Sequence, residues 1–226
     1  MDALRFAHYF QCASSDRHLG FVRQCASVKV VALDRPAEEI IAEFKQRTRN
    51  YVRQAEKAGV KFEFERDPRH FLSFYNAFAQ RSGLPRLPGS HYVLNSEAAV
   101  LTKATLDGRD LVMHSYIVDA ERRRVRLAHS ARSAADDDKM GMLIGNANRF
   151  LHHADMLHFK SLGIRLYDFG FYERGTTDQK MLGLNRFKDS FGGEVIEESS
   201  YMSLPLRLAL AARDAWHRSR GGVPRR

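Results

Sequence analysis

Two periods of hydrophobicity alternate along the chain. Val28–Leu33 is a β-branched run that predicts a strand. Asp34 and Pro36 then announce a helix, a capping side chain followed by proline in the first turn. Ile40, Ile41, Phe44, Thr48, Tyr51, Val52 and Ala55 recur at helical spacing and predict one buried face, which ends at Gly59. Val60–Glu65 alternates as a strand. Asp67-Pro68 opens another helix, with Phe71, Leu72, Tyr75, Phe78 and Ala79 inward and Gly83 as its stop. Leu84–Ser90 is a loop stiffened by Pro85 and Pro88. A meander follows: Ala98–Leu106, the turn Asp107-Gly108, the return strand Asp110–Val118, a turn over Asp119–Arg123 and a third strand, Arg124–Ser130. Asp-Gly between alternating strands is among the strongest hairpin signals.

A helix over about Met142–Leu162 comes next. Leu143, Ala147, Phe150, Leu151, Ala154, Leu157 and Leu162 form its apolar stripe, and Arg149, His152, Asp155 and Lys160 fall off it. Gly163 supplies the left-handed cap, and Ile164–Phe169 reads as a buried strand ending at Gly170. A polar loop leads to a second helix closed by Gly192 and Gly193, then a strand over Glu194–Met202 and a helix over Pro205–Arg218. Before Val28, Phe6–Cys12 and Phe21–Cys25 read as short strands, too few for another domain. The basic tail to Arg226 is expected to be disordered, from 219 onward.

Composition narrows the setting. The chain has 226 residues, 44% of them hydrophobic and 11% aromatic, enough for one domain with a substantial core. Its net charge of +9 fits either a solvated basic surface or an anionic partner: RNA, a phosphorylated cofactor or a membrane surface. Cys12 and Cys25 form no metal-type pair and suggest a reducing compartment. The start MDALRFAHYF lacks a basic segment followed by an apolar run, and no run approaches the ~20 apolar residues a membrane span needs. A cytoplasmic location is expected.

Three motifs carry a resemblance. Lys160-Ser161-Leu162-Gly163, then Tyr167-Asp168-Phe169-Gly170-Phe171, then Phe187-Lys188-Asp189-Ser190-Phe191-Gly192-Gly193 follow one another in the order seen in the Fem-type (FemAB) peptidyltransferases of the GNAT acyltransferase superfamily. Phe171 stands where that family has a second glycine. The stretch from Arg47 to Val60 also resembles the family's basic helix ending in Lys-x-Gly-Val. The resemblance covers about Val28–Ser203. It implies an α+β fold, a single GNAT-like domain with a central mixed, mostly antiparallel sheet flanked by helices. It further implies acyl or aminoacyl transfer to an amine. In the family the donors are aminoacyl-tRNAs and the acceptors peptidoglycan precursors, whereas related GNAT proteins use acyl-CoA. Fem-type enzymes usually have two such domains and only the second is matched, so a homodimer is expected, joined through the N-terminal strands or the Pro205–Arg218 helix. That helix carries Trp216 and could rest on an anionic membrane or pack on the sheet. An acyl-CoA N-acetyltransferase and a non-catalytic RNA- or envelope-binding module are the alternatives.

The GNAT signature for coenzyme A, Arg/Gln-x-x-Gly-x-Gly/Ala at a helix start, has only Asp138-Lys-Met-Gly141-Met-Leu143 as its nearest match. Gly141 and Gly145 still permit backbone to approach a phosphate. Asp136–Asp138 would cap the helix. His152, His153 and His158 lack zinc spacing and read as surface or packing residues, so no metal is expected. No Gly-x-Ser-x-Gly elbow occurs and no cysteine has a base, so covalent catalysis has no support. Direct attack of an amine on an ester or thioester remains, needing a proton acceptor, an oxyanion donor and a positioning cleft. Asp168 either orients the amine or caps its turn. Tyr172 and Glu173 are placed to act as acid and base. Lys188 resembles the family lysine near the reacting ester, against the alternative of an exposed helix lysine. Arg47, Arg49 and Arg53, on a helix face with Lys45 and Lys57, together with Arg174 and Gly170, are candidates for binding an anionic donor. No tightly bound cofactor is expected; the donor is aminoacyl-tRNA or acyl-CoA.

Overall fold

The computed structural model describes residues 6–12, 16–91 and 96–219. They form strands β1 (His8–Cys12), β2 (Phe21–Ala32), β3 (Lys61–Phe64), β4 (Ala99–Leu106), β5 (Arg109–Asp119), β6 (Arg124–Arg132), β7 (Leu166–Phe171) and β8 (Glu194–Ser203). The helices are α1 (Ala37–Ala42), α2 (Gln46–Lys57), α3 (Pro68–Ser82), α4 (Asp138–Ser161), α5 (Gln179–Asp189) and α6 (Leu204–Ser219). The chain divides into two compact units, Lys29–Glu194 and Met1–Val28 with Val195–Arg226.

The larger unit is built on the strand order β2-β7-β6-β5-β4-β3, in which β2 takes part through Lys29–Ala32. β3 to β6 pair antiparallel, and β7 returns parallel to β6 after the α4 crossover. The meander is as expected. Asp107 and Gly108 both have positive φ, 50° and 77°, between the paired residues Leu106 and Arg109, the conformation a two-residue hairpin loop requires. Val31, Leu33, Tyr116, Phe159, Tyr167 and Phe191 are fully buried in one cluster, and Phe71, Met113 and Ala131 in another under α3.

Two expectations about helices change. The single helix expected between Pro36 and Gly59 is two, α1 and α2. The backbone breaks at Glu43–Lys45, where the Lys45 amide donates to the Ser190 carbonyl at 2.9 Å. Arg49 Nη1 satisfies the loose carbonyls of Ala42, at 2.9 Å, and of Phe44. The N-cap is Pro36, not Asp34, and has no side-chain bond. The buried face of α4 is also rotated from the apolar stripe. Ile144, Ala147, Asn148, Leu151, His152, Asp155, Met156 and Phe159 are buried, whereas Leu162 is 62% exposed. Three polar residues thus lie inward because side chains of β5 and β7 bond to them, as described below.

Gly193 is held by a close approach. Its φ is +70°, and a Cβ there would lie 2.1 Å from the Val30 carbonyl oxygen. This fixes the end of α5 against β2.

The smaller unit has the order β1-β8-β2, with β1 antiparallel to β8. Tyr201 is its fully buried anchor, donating to the Asp16 carbonyl at 2.8 Å. α6 runs to Ser219, one residue into the expected tail, and the remainder of that tail lies outside the described residues. Trp216 is 51% exposed.

Candidate active site

The site begins where two parallel strands part. β6 and β7 pair over Arg124↔Leu166, Val125↔Tyr167 and Arg126↔Asp168. The next amide, that of Gly170, donates instead to Asp168 Oδ1 at 2.6 Å, and a φ of +79° turns the strand. Asp168 is fully buried, with Oδ2 2.7 Å from Arg124 Nη2 and 3.9 Å from Arg126 Nε. On the other side of β6 the ladder slips between Ser115 and Tyr116, which face His129 and Leu127 and leave Ala128 out of register. Bulges of this kind re-aim backbone groups beside active sites.

Lys188 stands at the end of β7. It is only 6% exposed, which corrects the picture of an exposed helix lysine, and its Nζ donates to the Phe171 carbonyl. Burial pushes its pKa down to about 8, with Asp168 pulling it up and Arg126 pushing it down. Phe187 and Phe191, one turn apart with centroids at 5.2 Å, hold α5 in place. Tyr172 donates to Asp189 Oδ2 at 3.0 Å, and Asp189 Oδ1 pairs with Lys29 Nζ at 3.1 Å. Burial, then Asp189, raises the Tyr172 pKa. The Glu173 carbonyl accepts from Asn185 Nδ2 at 2.8 Å, and Arg174 is exposed.

The basic residues of α2 divide. Arg47 lies over the Tyr51 ring, its guanidinium carbon 5.3 Å from the centroid, and Arg149 of α4 covers the same ring at 4.9 Å and Phe187 at 5.2 Å. Arg149 Nη1 donates to the Gly145 carbonyl at 2.8 Å, and its buried Nε has no partner among the described residues. Burial lowers the Arg149 pKa. Arg53 is exposed, whereas Arg49 is turned back to close α1. Arg149 escaped sequence reading because only the fold brings two aromatic rings to it.

At the start of α4, Asp137 Oδ1 accepts from the Met140 amide at 2.7 Å, and Asp136 pairs with Arg109 at 2.9 Å. A cavity of about 340 Å³ opens beside this end, lined by Phe78, Arg81, Arg132, Ser133, Gly141 and Ile144. Gly141 therefore faces a cavity, and Gly145 belongs with Arg149.

Beneath the parted strands runs a buried polar chain. His114 Nε2 lies 3.0 Å from Asn148 Oδ1, and His114 Nδ1 lies 2.8 Å from Asp155 Oδ2. Tyr116 donates to the same oxygen at 2.6 Å, the hydroxyls of Tyr116 and Tyr167 are 2.7 Å apart, and His152 Nδ1 is 2.7 Å from Tyr167. The signal for it in the sequence is Asn148, His152 and Asp155 at i, i+4 and i+7 on one helix. His152 is thus neither a surface residue nor simple packing. Among the described residues no cluster of three or more His, Cys, Asp or Glu could hold a metal ion.

No family model matches the sequence, and no curated protein sequence matches it. Solved structures do. FemX superposes with a TM-score of 0.68 at 16% identity, covering 85% of this chain and 68% of that one. The C-terminal domain of a putative lysylphosphatidylglycerol synthetase from Agrobacterium fabrum gives 0.55 at 15% identity over 88% of this chain and 66% of its own. The L-PGS of Bacillus licheniformis gives 0.54 at 14% identity over 86% of this chain and 66% of its own. The chain thus spans about two thirds of the length of each. With its meander, α4 crossover and β7 return, this α+β fold is similar to that of FemX and of these synthetase domains.

Proposed function

We propose that this chain is an acyltransferase that moves an aminoacyl or acyl group from a carrier-linked ester to an amine. The observation that carries this is the buried ammonium of Lys188, held at the end of β7 where β6 and β7 part. In the reaction the amine nitrogen bonds to the ester carbonyl carbon, negative charge develops on the carbonyl oxygen, and the carbon–oxygen bond to the carrier breaks. A fixed cation in a water-poor site favours that charge, an effect commonly worth ~10²–10³ in turnover. Arg149 and Arg47, stacked about Tyr51, would guide a phosphate-rich carrier such as tRNA toward Lys188. Asp137 already occupies the amide at the start of α4, where a coenzyme A pyrophosphate would otherwise be cradled. An amine of a peptidoglycan precursor is the acceptor that the resemblance favours.

The cavity beside Arg81, Arg132 and Gly141 supports a second donor, acyl-CoA, whose phosphates those arginines would meet. One experiment separates the two. Thermal shift is measured with bulk aminoacyl-tRNA, uncharged tRNA, acetyl-CoA and longer acyl-CoAs, followed by transfer of a labelled aminoacyl group to amines. Stabilisation by charged tRNA with amide product supports the first donor. A shift with acyl-CoA alone reverses the order, and none with any of them counts against transfer.

A further inference from the structure

The buried chain from Asp155 to His152 has a direction. With Asp155 ionised, its Oδ2 only accepts, so Tyr116 gives it its one proton; His114 Nδ1 lies 2.8 Å from the same oxygen and 3.0 Å from the Tyr116 hydroxyl. The Tyr116 oxygen must then accept from Tyr167, 2.7 Å away. The Tyr167 proton is used in turn, so its oxygen accepts from His152 Nδ1 at 2.7 Å. His152 therefore carries its proton on Nδ1 and keeps Nε2 as a bare lone pair. Its ring, 1% exposed, lies against Phe169 at 5.0 Å, Phe187 at 5.5 Å and Phe191 at 5.2 Å, the aromatic group that also packs under Arg149 and beside Lys188.

We propose that His152 Nε2 is the proton acceptor for the attacking amine, with Tyr167, Tyr116 and Asp155 as positioning residues that set its tautomer. This rests on the acyl-transfer function above. As the carbon–nitrogen bond forms, the nitrogen's proton passes to Nε2. It is returned to the departing carrier oxygen as the carbon–oxygen bond breaks, and His152 ends neutral. While protonated, the ring is coupled through both tyrosines to Asp155, whose Oδ1 is buried without a partner among the described residues. The groups facing His152 are His114 on β5, Arg149 on its own helix and Lys188 on α5. With burial as the largest cause, they hold its pKa well below the usual value, so it is unprotonated at neutral pH.

The test begins with 15N-histidine-labelled protein and long-range 1H–15N spectra at pH 7. His152 should show a protonated Nδ1 and an unprotonated Nε2, and Tyr167→Phe should shift the population toward Nε2–H. A protonated Nε2 in the wild type overturns the proposal whether or not any donor has been found. In the transfer assay, His152→Gln should lower kcat by ~10² or more with KM little changed. Tyr167→Phe, which keeps the ring and the packing, should lower kcat and move the acidic limb of the pH profile. A His152→Gln kcat within a few-fold of wild type overturns the role even if the tautomer is as stated. Absence of transfer by the wild type with every donor would instead sink the acyltransfer function, and the tautomer would still be decided by the spectra.

Discussion

At the scale of single residues, Lys188 decides most. A lysine with its pKa near 8 is charged at neutral pH and loses that charge a little above it. If the ammonium stabilises the oxyanion, transfer should fall as pH rises through about 8, and Lys188→Arg should be weaker at pH 7 but lack that limb. Rates measured from pH 6 to 9.5 check this; an alkaline limb unchanged in the arginine variant would remove Lys188 from the chemistry. The stability consequence has its own sign. The pKa in the fold lies below the ordinary 10.5, so the contribution of Lys188 is fully present only above about 10.5 and is lost as pH falls through about 8. Lys188→Met should therefore match or exceed wild-type stability at pH 7, by up to about 3 kcal/mol, with the gap narrowing by pH 10. Urea unfolding at the two pH values measures it. Asp168 differs in kind. It is buried against Arg124 and ends a strand ladder, so its part is an ion pair and a turn.

Elements show where local pattern suffices and where it does not. The hairpin at Asp107-Gly108, the stops at Gly83 and Gly163 and the strand after Gly163 were legible because each depends on a few adjacent residues. The break between α1 and α2 was not, because its cause is the Ser190 carbonyl and the Arg49 side chain, both outside any local window. The inward face of α4 was misread for a related reason. Asn148, His152 and Asp155 look like solvent-side residues until β5 and β7 supply His114, Tyr116 and Tyr167 as partners. The paired glycines after α5 were legible as a stop, but the contact that demands one of them was not. Gly193→Ala should destabilise by several kcal/mol, since its Cβ would meet the Val30 carbonyl in a left-handed conformation. A loss below about 0.5 kcal/mol in chemical denaturation would mean that the backbone there yields freely.

At the scale of the whole molecule, charge is the main lever. If tRNA is the carrier, the net charge of +9, with Lys45, Arg47, Arg53 and Lys57 on or beside α2, should make its binding steeply salt-dependent. Reversing Arg47, Arg53 and Lys57 to Glu should weaken tRNA binding at least tenfold at 0.1 M salt and flatten its dependence on salt concentration. Filter binding across a salt series reads both, and an unchanged slope would remove α2 from tRNA binding. The homodimer expected from the resemblance is also open to measurement. Light scattering at micromolar concentration should give about twice the mass of the chain, and a monomer would overturn that expectation.

The sequence by itself determined the α+β class, the meander and its turn, the order helix–strand–helix after it, and Lys188 as the residue to watch. The elements follow from the spacing of apolar residues and from turn chemistry; the fold class and Lys188 as a candidate follow from the resemblance that the short contiguous motifs carry. Only the tertiary structure decided that Lys188 is buried, that Arg49 closes a helix end, that Arg149 joins Arg47 over one tyrosine ring, and that a hydrogen-bonded chain ends at His152. The reason is physical: burial, pKa and hydrogen-bond direction are set by partners on β5, β7 and α5, tens of residues away from the groups they govern.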